Sequence, residues 1–113
     1  MTANIISGTP DIRIVQGDTY QKEFYFTNVD ISLIDSVNFS CKALNLFKKL
    51  DKINMKYFLL NFTSEETKVL QPFQGNYDIT VTFIDSKVKT VLYDSFIEIL
   101  SKNNPIAGEG NEP

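Results

Sequence analysis

Residues 74–84 read QGNYDITVTFI, and this stretch decides the fold class. Its apolar and polar side chains alternate: the apolar set is Tyr77, Ile79, Val81 and Phe83, and the polar set is Asn76, Asp78, Thr80 and Thr82. Because successive side chains of an extended chain point to opposite faces, the alternation predicts a strand with one buried face and one solvated face. Its length predicts a central position in a sheet.

The same two-residue period recurs upstream of this strand. Residues 20–27, 36–44 and 55–62 each place apolar side chains on one face. The predicted inward-facing side chains are Tyr20, Phe24 and Phe26, then Val37, Phe39, Cys41 and Ala43, then Phe58, Leu60 and Phe62. Alternation of this kind is typical of sheets that pack on a core with one face. Three more strands are therefore predicted.

Two further strands lie near the ends of the ordered region. Residues 11–16 form a short β-branched run that Gly17 and Asp18 close with a turn, as expected of an outer strand. Residues 87–100 form the last strand. The apolar positions in its second half have the opposite parity to those in its first half, which predicts a bulge near Asp94 and Ser95.

Residues 44–57 (LNLFKKLDKINMKY) allow two interpretations. Leu46, Phe47, Leu50 and Ile53 have helical spacing with lysines opposite, and a basic amphipathic helix would suit a membrane surface or a helix-binding partner. The segment has no good N-cap, and strands flank it on both sides. A short strand with a turn near residues 51–52 is therefore the preferred interpretation.

One short helix is predicted near residues 64–70. Thr63 and Glu66 have the spacing of a capping box, and two acidic residues occupy the first turn, where the helix dipole favours them. Pro72 disfavours helical geometry in the residue before it, so the helix should end near Leu70.

About seven short strands and one helical turn predict an all-β, immunoglobulin-like antiparallel β-sandwich. The predicted domain spans residues 11–100, preceded by a flexible lead-in at 1–10 and followed by a flexible tail or linker at 101–113, where Gly, Pro and polar residues dominate. The disulfide and the tryptophan of true immunoglobulin domains are absent from the sequence. The likeness is therefore one of architecture.

Composition argues against several classes of function. The chain has no histidine and a single cysteine, Cys41, so His-dependent catalysis, an internal disulfide and a thiolate zinc site are excluded. Cys41 is predicted to be a core residue. A net charge of −3 does not favour nucleic acid, and no stretch is long and apolar enough to predict a membrane span. We expect no enzymatic activity and no cofactor.

Five segments, in their order and spacing, resemble a known family. They are residues 14–19 (IVQGDT), the strand around 37–43, residues 62–67 (FTSEET), residues 75–79 (GNYDI) and residues 88–92 (VKTVL). Together they are similar to the N-terminal domain of phage baseplate upper proteins, over about residues 11–100. The resemblance implies a virion structural protein, made in the host bacterial cytoplasm, that docks on the tail or baseplate and carries a fibre or receptor-binding protein.

Members of that family commonly continue into a helical and fibrous region, which residues 101–113 do not provide. The alternatives are therefore a free-standing adaptor, a head or neck decoration, or a fragment of a longer fibre protein. A carbohydrate- or receptor-binding module and an inhibitor of a host enzyme are further alternatives. The preferred partners are other virion proteins and further copies of the chain. A glycan is disfavoured, because no cluster of exposed aromatics is evident.

The predicted contact residues are Ile12, Ile14 and Gln16 of the outer strand, with Pro105 and Ile106 of the tail. An unpaired strand edge and a flexible tail are natural docking elements.

Overall fold

In the computed structural model the described residues are 4–6, 11–27 and 29–102. They form nine strands and one α-helix. The elements are β1 (Asn4–Ile6), β2 (Ile12–Val15), β3 (Tyr20–Thr27), β4 (Ile34–Cys41), β5 (Leu46–Lys49), β6 (Asp51–Lys52), β7 (Tyr57–Phe62), α1 (Ser64–Lys68), β8 (Phe73–Phe83) and β9 (Val88–Leu100). Single 3-10 turns occupy Ile31–Leu33 and Lys42–Leu44.

The strands make two sheets, one with the order β1-β3-β7-β6 and the other with the order β2-β9-β8-β4-β5. The first order corresponds to the A-B-E-D arrangement of immunoglobulin domains, and β9-β8-β4-β5 corresponds to G-F-C-C′, with β2 added outside β9. The predicted all-β sandwich is confirmed, and residues 74–84 supply the central strand, β8, of the five-stranded sheet. One pairing departs from the antiparallel prediction: β2 runs parallel to β9, its distant partner in sequence.

The core lies between the two sheets and consists of the alternating side chains that the sequence placed inward. Phe39 of β4 is completely buried, and its ring contacts Phe62 of β7 (centroid distance 5.8 Å) and Tyr77 of β8 (5.3 Å). Ala43 is the exception, because it is exposed. The strand ends at Cys41, and the 3-10 turn that follows ends at Asn45 in a left-handed conformation (φ 53°).

Residues 44–57 contain strands, so the amphipathic-helix alternative is wrong. β5 pairs with β4 in one sheet, whereas β6 pairs with β7 in the other. Leu50 is buried at the crossing point, and its N–H donates to the carbonyl of Val37 (2.8 Å). The turn predicted near residues 51–52 lies later, where the side chain of Asn54 accepts hydrogen bonds from the N–H groups of Lys56 and Tyr57.

The bulge predicted in the last strand is confirmed. Tyr77 is opposite Ser95 but Ile79 is opposite Leu92, so β9 carries an extra residue at this point. Asp94 has a positive φ of 59°, and its N–H donates to the carboxylate of Asp78 (2.9 Å). Because of this extra residue, Leu92 and Ile97 both lie on the core side of the sheet although one has an even and the other an odd number.

The first strand was missed at the sequence level. The flexible lead-in prediction is wrong for Asn4–Ile6, which form β1 and pair antiparallel with β3. Three residues are too few to show a periodic pattern. Of the predicted tail, residues 103–113 lie outside the described residues.

The predicted capping box is confirmed, and the helix ends at Lys68 instead of Leu70. Thr67, the one buried polar residue in the described part of the chain, joins this helix to the turn after β2. Its hydroxyl donates to the carbonyl of Asp18 (2.7 Å) and accepts from the N–H of Gly17 (3.0 Å). Gly17 has a φ of 85°, which only glycine adopts without strain. The side chain of Thr67 therefore joins the turn in residues 14–19 (IVQGDT) to the helix in residues 62–67 (FTSEET).

Glu66→Gln is expected to lower the free energy of unfolding at pH 7 by about 0.5–1 kcal/mol. Hydrogen bonds from Lys48 and from the Thr63 backbone lower the pKa of Glu66 below its ordinary value of 4.5. A depressed folded-state pKa gives stability that is present above the unfolded-state pKa and is lost as the pH falls through the folded-state pKa. Urea unfolding should therefore give different free energies of unfolding for the parent protein and the Glu66→Gln variant at pH 7, and equal values in acid. Glu65→Gln is the control, because Glu65 is exposed and should change little at either pH.

Candidate interaction surface

The groups available for chemistry are few. Among the residues that the structure describes, no three Asp, Glu or Cys side chains come together as a metal-binding set. Cys41 is completely buried, as predicted for a core residue, and burial raises the pKa of its thiol. A buried thiol with a raised pKa is a poor nucleophile.

Of the five predicted contact residues, the structure describes Ile12, Ile14 and Gln16. The side chains of Ile12 and Ile14 are completely buried between the sheets, so at these positions only the backbone edge of β2 faces outward. The prediction that this edge docks a partner stays a prediction. The amide of Gln16 donates to the carbonyl of Leu70 (2.5 Å) within the chain. β2 does lie at a sheet edge, as predicted, and Arg13 is its exposed side chain. Pro105 and Ile106 lie outside the described residues.

Three connections meet at one end of the sandwich. They run from β3 to β4, from β6 to β7 and from β8 to β9, and they correspond to the B–C, D–E and F–G loops of immunoglobulin domains. The N–H of Ile84 donates to the carbonyl of Leu33 (2.9 Å), which joins the third connection to the first. Lys52 lies close enough to Asp30 to contribute to the lowering of its pKa, whose largest cause is a hydrogen bond from Ser32. This end is therefore one continuous group of loops.

Exposed apolar side chains are concentrated at this end. We call them the loop-end surface: Tyr25 (38% exposed), Ile53 (45%), Met55 (56%), Ile84 (63%) and Val88 (64%). They make up five of the nine large apolar side chains that are exposed in the described residues. A concentration of this kind marks an interaction site, whereas single exposed apolar residues are ordinary.

An apolar row continues from the loop-end surface onto the outer face of the four-stranded sheet. Tyr25 and Tyr57 are register partners on β3 and β7, and their rings lie 5.0 Å apart. The N–H of Ile53 donates to the carbonyl of Tyr57 (3.3 Å). The hydroxyl of Tyr25 donates to Glu23 (2.8 Å). Tyrosines with apolar rings and satisfied hydroxyls are typical of protein interfaces.

A second feature is the basic edge, which we define as residues 42–56. It holds five lysines and one aspartate, so its net charge is +4, whereas the whole chain has −3 and the remainder therefore has −7. Lys48 pairs with Glu66. The other four lysines make no ion pair within 4.0 Å to any described residue. They are Lys42, Lys49, Lys52 and Lys56.

The sequence predicts Tyr25, Tyr57 and Tyr93 as the most exposed aromatics; Tyr25 and Tyr93 are exposed and Tyr57 is half-buried. The remainder of the loop-end surface was not predicted. Ile53 and Met55 were assigned to an ambiguous segment, and Ile84 was the last residue of a predicted strand. A signal was present: these residues border turns, where an apolar side chain has no neighbouring strand to cover it. Phe47, 58% exposed on β5, gave no such signal.

A scan against protein-family models and a search of curated proteins both gave no match to this chain. The resemblance to phage baseplate upper proteins therefore stays a prediction. Within the described residues, no helix is long and apolar enough to span a membrane.

Proposed function

We propose that this chain is a non-enzymatic structural adaptor of a phage virion, located in the tail or baseplate, which joins virion proteins by docking. The observation that carries the proposal is the loop-end surface. Loops held at one end of a rigid sandwich are a common place for binding residues. The ordered resemblance across residues 11–100 supplies the virion as the setting.

The rigid part of this adaptor is the sandwich, and the contact part is its loop end. Ile53 and Met55 lie on the connection between β6 and β7, and Ile84 lies on the connection between β8 and β9. Burying these apolar side chains against a neighbour removes them from water. This stabilises the contact by roughly 25 cal/mol per Å² of apolar area buried. The adjoining Tyr25 and Tyr57 rings add aromatic contact area of the kind enriched at binding hot spots.

The test is the amount of this protein in particles that carry substitutions at the loop end. Ile53→Asp combined with Met55→Asp should reduce the copies per purified particle at least about ten-fold, because it places two charges in an apolar contact. Val69→Asp is the control, because Val69 is 76% exposed at the opposite end of the sandwich. Circular dichroism of the isolated variants should match that of the parent, since all three positions are exposed. An unchanged copy number in the double variant would contradict the proposal.

A further inference from the structure

We infer that the basic edge binds an acidic, extended segment of a partner protein, which adds as a strand to the free side of β5. This inference rests on the proposed function, because it names the chemistry of one docking partner. Three observations carry it: an unpaired strand edge, a local positive charge and an exposed phenylalanine beside a shallow groove.

β5 is the last strand of the five-stranded sheet and pairs only with β4 among the described residues. Its other side presents backbone N–H and C=O groups that no strand in the described part of the chain pairs with. An extended peptide that joins such an edge gains a ladder of main-chain hydrogen bonds, and specificity comes from alternate side chains.

The side chains of β5 define what the added strand must carry. Phe47 and Lys49 are opposite Ser40 and Asn38, so they point to the outer face of the sheet. Lys48 points to the other side, where it pairs with Glu66 and lies 5.3 Å from the ring centre of Phe62. Only Phe47 and Lys49 are therefore available to a new neighbour. An incoming strand would match them with one apolar and one acidic side chain, two residues apart.

A groove adjoins these residues on the outer face. It has a volume of about 410 Å³ and is lined by Asn38, Ser40, Phe47, Lys49 and Thr80, among others. The neutral polar groups offer hydrogen-bond partners, and Phe47 offers the apolar contact. The groove can therefore accept the outward side chains of an added strand.

A second copy of this chain fits the edge less well than an acidic partner does. Pairing β5 with another β5 would bring two basic edges of net charge +4 together, and lysines on edge strands oppose such self-association. β2, the other edge of this sheet, presents Arg13 on the outer face, where it pairs with Glu98. Glu98 balances that charge, and β2 (IRIV) carries no acidic side chain that would match Lys49. An acidic strand from a different protein removes this repulsion.

The test uses the ¹⁵N-labelled full chain and two eight-residue peptides, TVTETVTE and TVTKTVTK. The acidic peptide should shift the backbone amide signals of residues 46–50 and should bind at least about ten-fold more tightly than the basic peptide. Lys49→Glu combined with Lys52→Glu should weaken acidic-peptide binding by a similar factor. The control is Lys87→Glu combined with Lys89→Glu, which makes the same charge change just before and at the start of β9 and should leave binding unaltered.

Several outcomes would overturn the inference. They are no shift with millimolar acidic peptide, equal binding of both peptides, and equal loss in the control variant. Binding of a DNA duplex or of phosphatidylglycerol vesicles through Lys49, without peptide binding, would assign the basic edge to a different class of partner. Peptide binding by a protein that is absent from particles would leave this inference standing and refute the virion proposal. A protein that is present in particles but does not bind the acidic peptide would refute this inference and leave the virion proposal standing.

Discussion

Phe39→Ala is expected to lower the free energy of unfolding by about 3–5 kcal/mol, the largest loss from any single substitution considered for this chain. Phe39 is completely buried at the centre of the sandwich. Its ring meets Phe62 of the opposite sheet at an interplanar angle of 82°, and it meets Tyr77 of the neighbouring strand at 31°. Alanine would remove both aromatic contacts and leave a cavity between the sheets.

Urea unfolding followed by tyrosine fluorescence measures this effect, because the chain has five tyrosines and no tryptophan. The matched control is Phe47→Ala on the adjacent strand β5, where the ring is 58% exposed and the expected loss is below about 1 kcal/mol. Phe39→Leu keeps most of the volume and should cost about 1.5 kcal/mol. Equal losses for Phe39→Ala and Phe47→Ala would show that the core has been placed incorrectly.

Thr67→Val is expected to cost about 2–3 kcal/mol although it preserves the shape of the side chain. The hydroxyl of Thr67 satisfies the N–H of Gly17 and the carbonyl of Asp18, and Thr67 is completely buried. Valine would leave both backbone groups without this partner in a place that water does not reach. The turn after β2 and helix α1 would lose their shared connection.

Thr67→Ser should restore most of the stability, because serine keeps the hydroxyl and loses only a methyl group. Thr90→Val is the position control, since Thr90 is exposed on β9 and valine suits a strand, so a change within about 0.5 kcal/mol is expected. The free energies of unfolding of Thr67→Val, Thr67→Ser and Thr90→Val test whether the Thr67 hydroxyl makes this contribution. Similar values for Thr67→Val and Thr90→Val would refute the role assigned to the Thr67 hydroxyl.

The fold was predictable wherever alternation extended over several residues. Tyr77, Ile79 and Val81 repeat the pattern often enough to define a face, and Phe58 to Phe62 do the same for β7. Local chemistry identified two further features. The capping box needs only Thr63 and Glu66, and the parity change in β9 located its bulge at Asp94.

What escaped sequence reasoning depends on pairing between distant segments. β1 and β6 have three and two residues, too short for periodicity, and each is defined by its neighbour in the sheet. The sequence did not show which face of β2 is buried. Alternation shows that Ile12 and Ile14 share a face, yet only the parallel pairing with β9 shows that this face is inside.

The candidate surfaces were harder to foresee than the fold. Residues 44–57 were recognised as basic, but their charge gains meaning only when β5 is found at a free sheet edge. The loop-end surface combines Tyr25, Met55 and Ile84 from three separate connections or strands. Sequence alone does not show that these positions meet at one end.

Under the proposed function a phage encodes this chain, and quantitative mass spectrometry of its purified particles tests this central claim most directly. The virion-adaptor account predicts that the protein is present at a fixed copy number per particle and stays with the tail when heads and tails are separated. Its absence from particles, together with an abundant soluble pool in infected cells, would contradict the account.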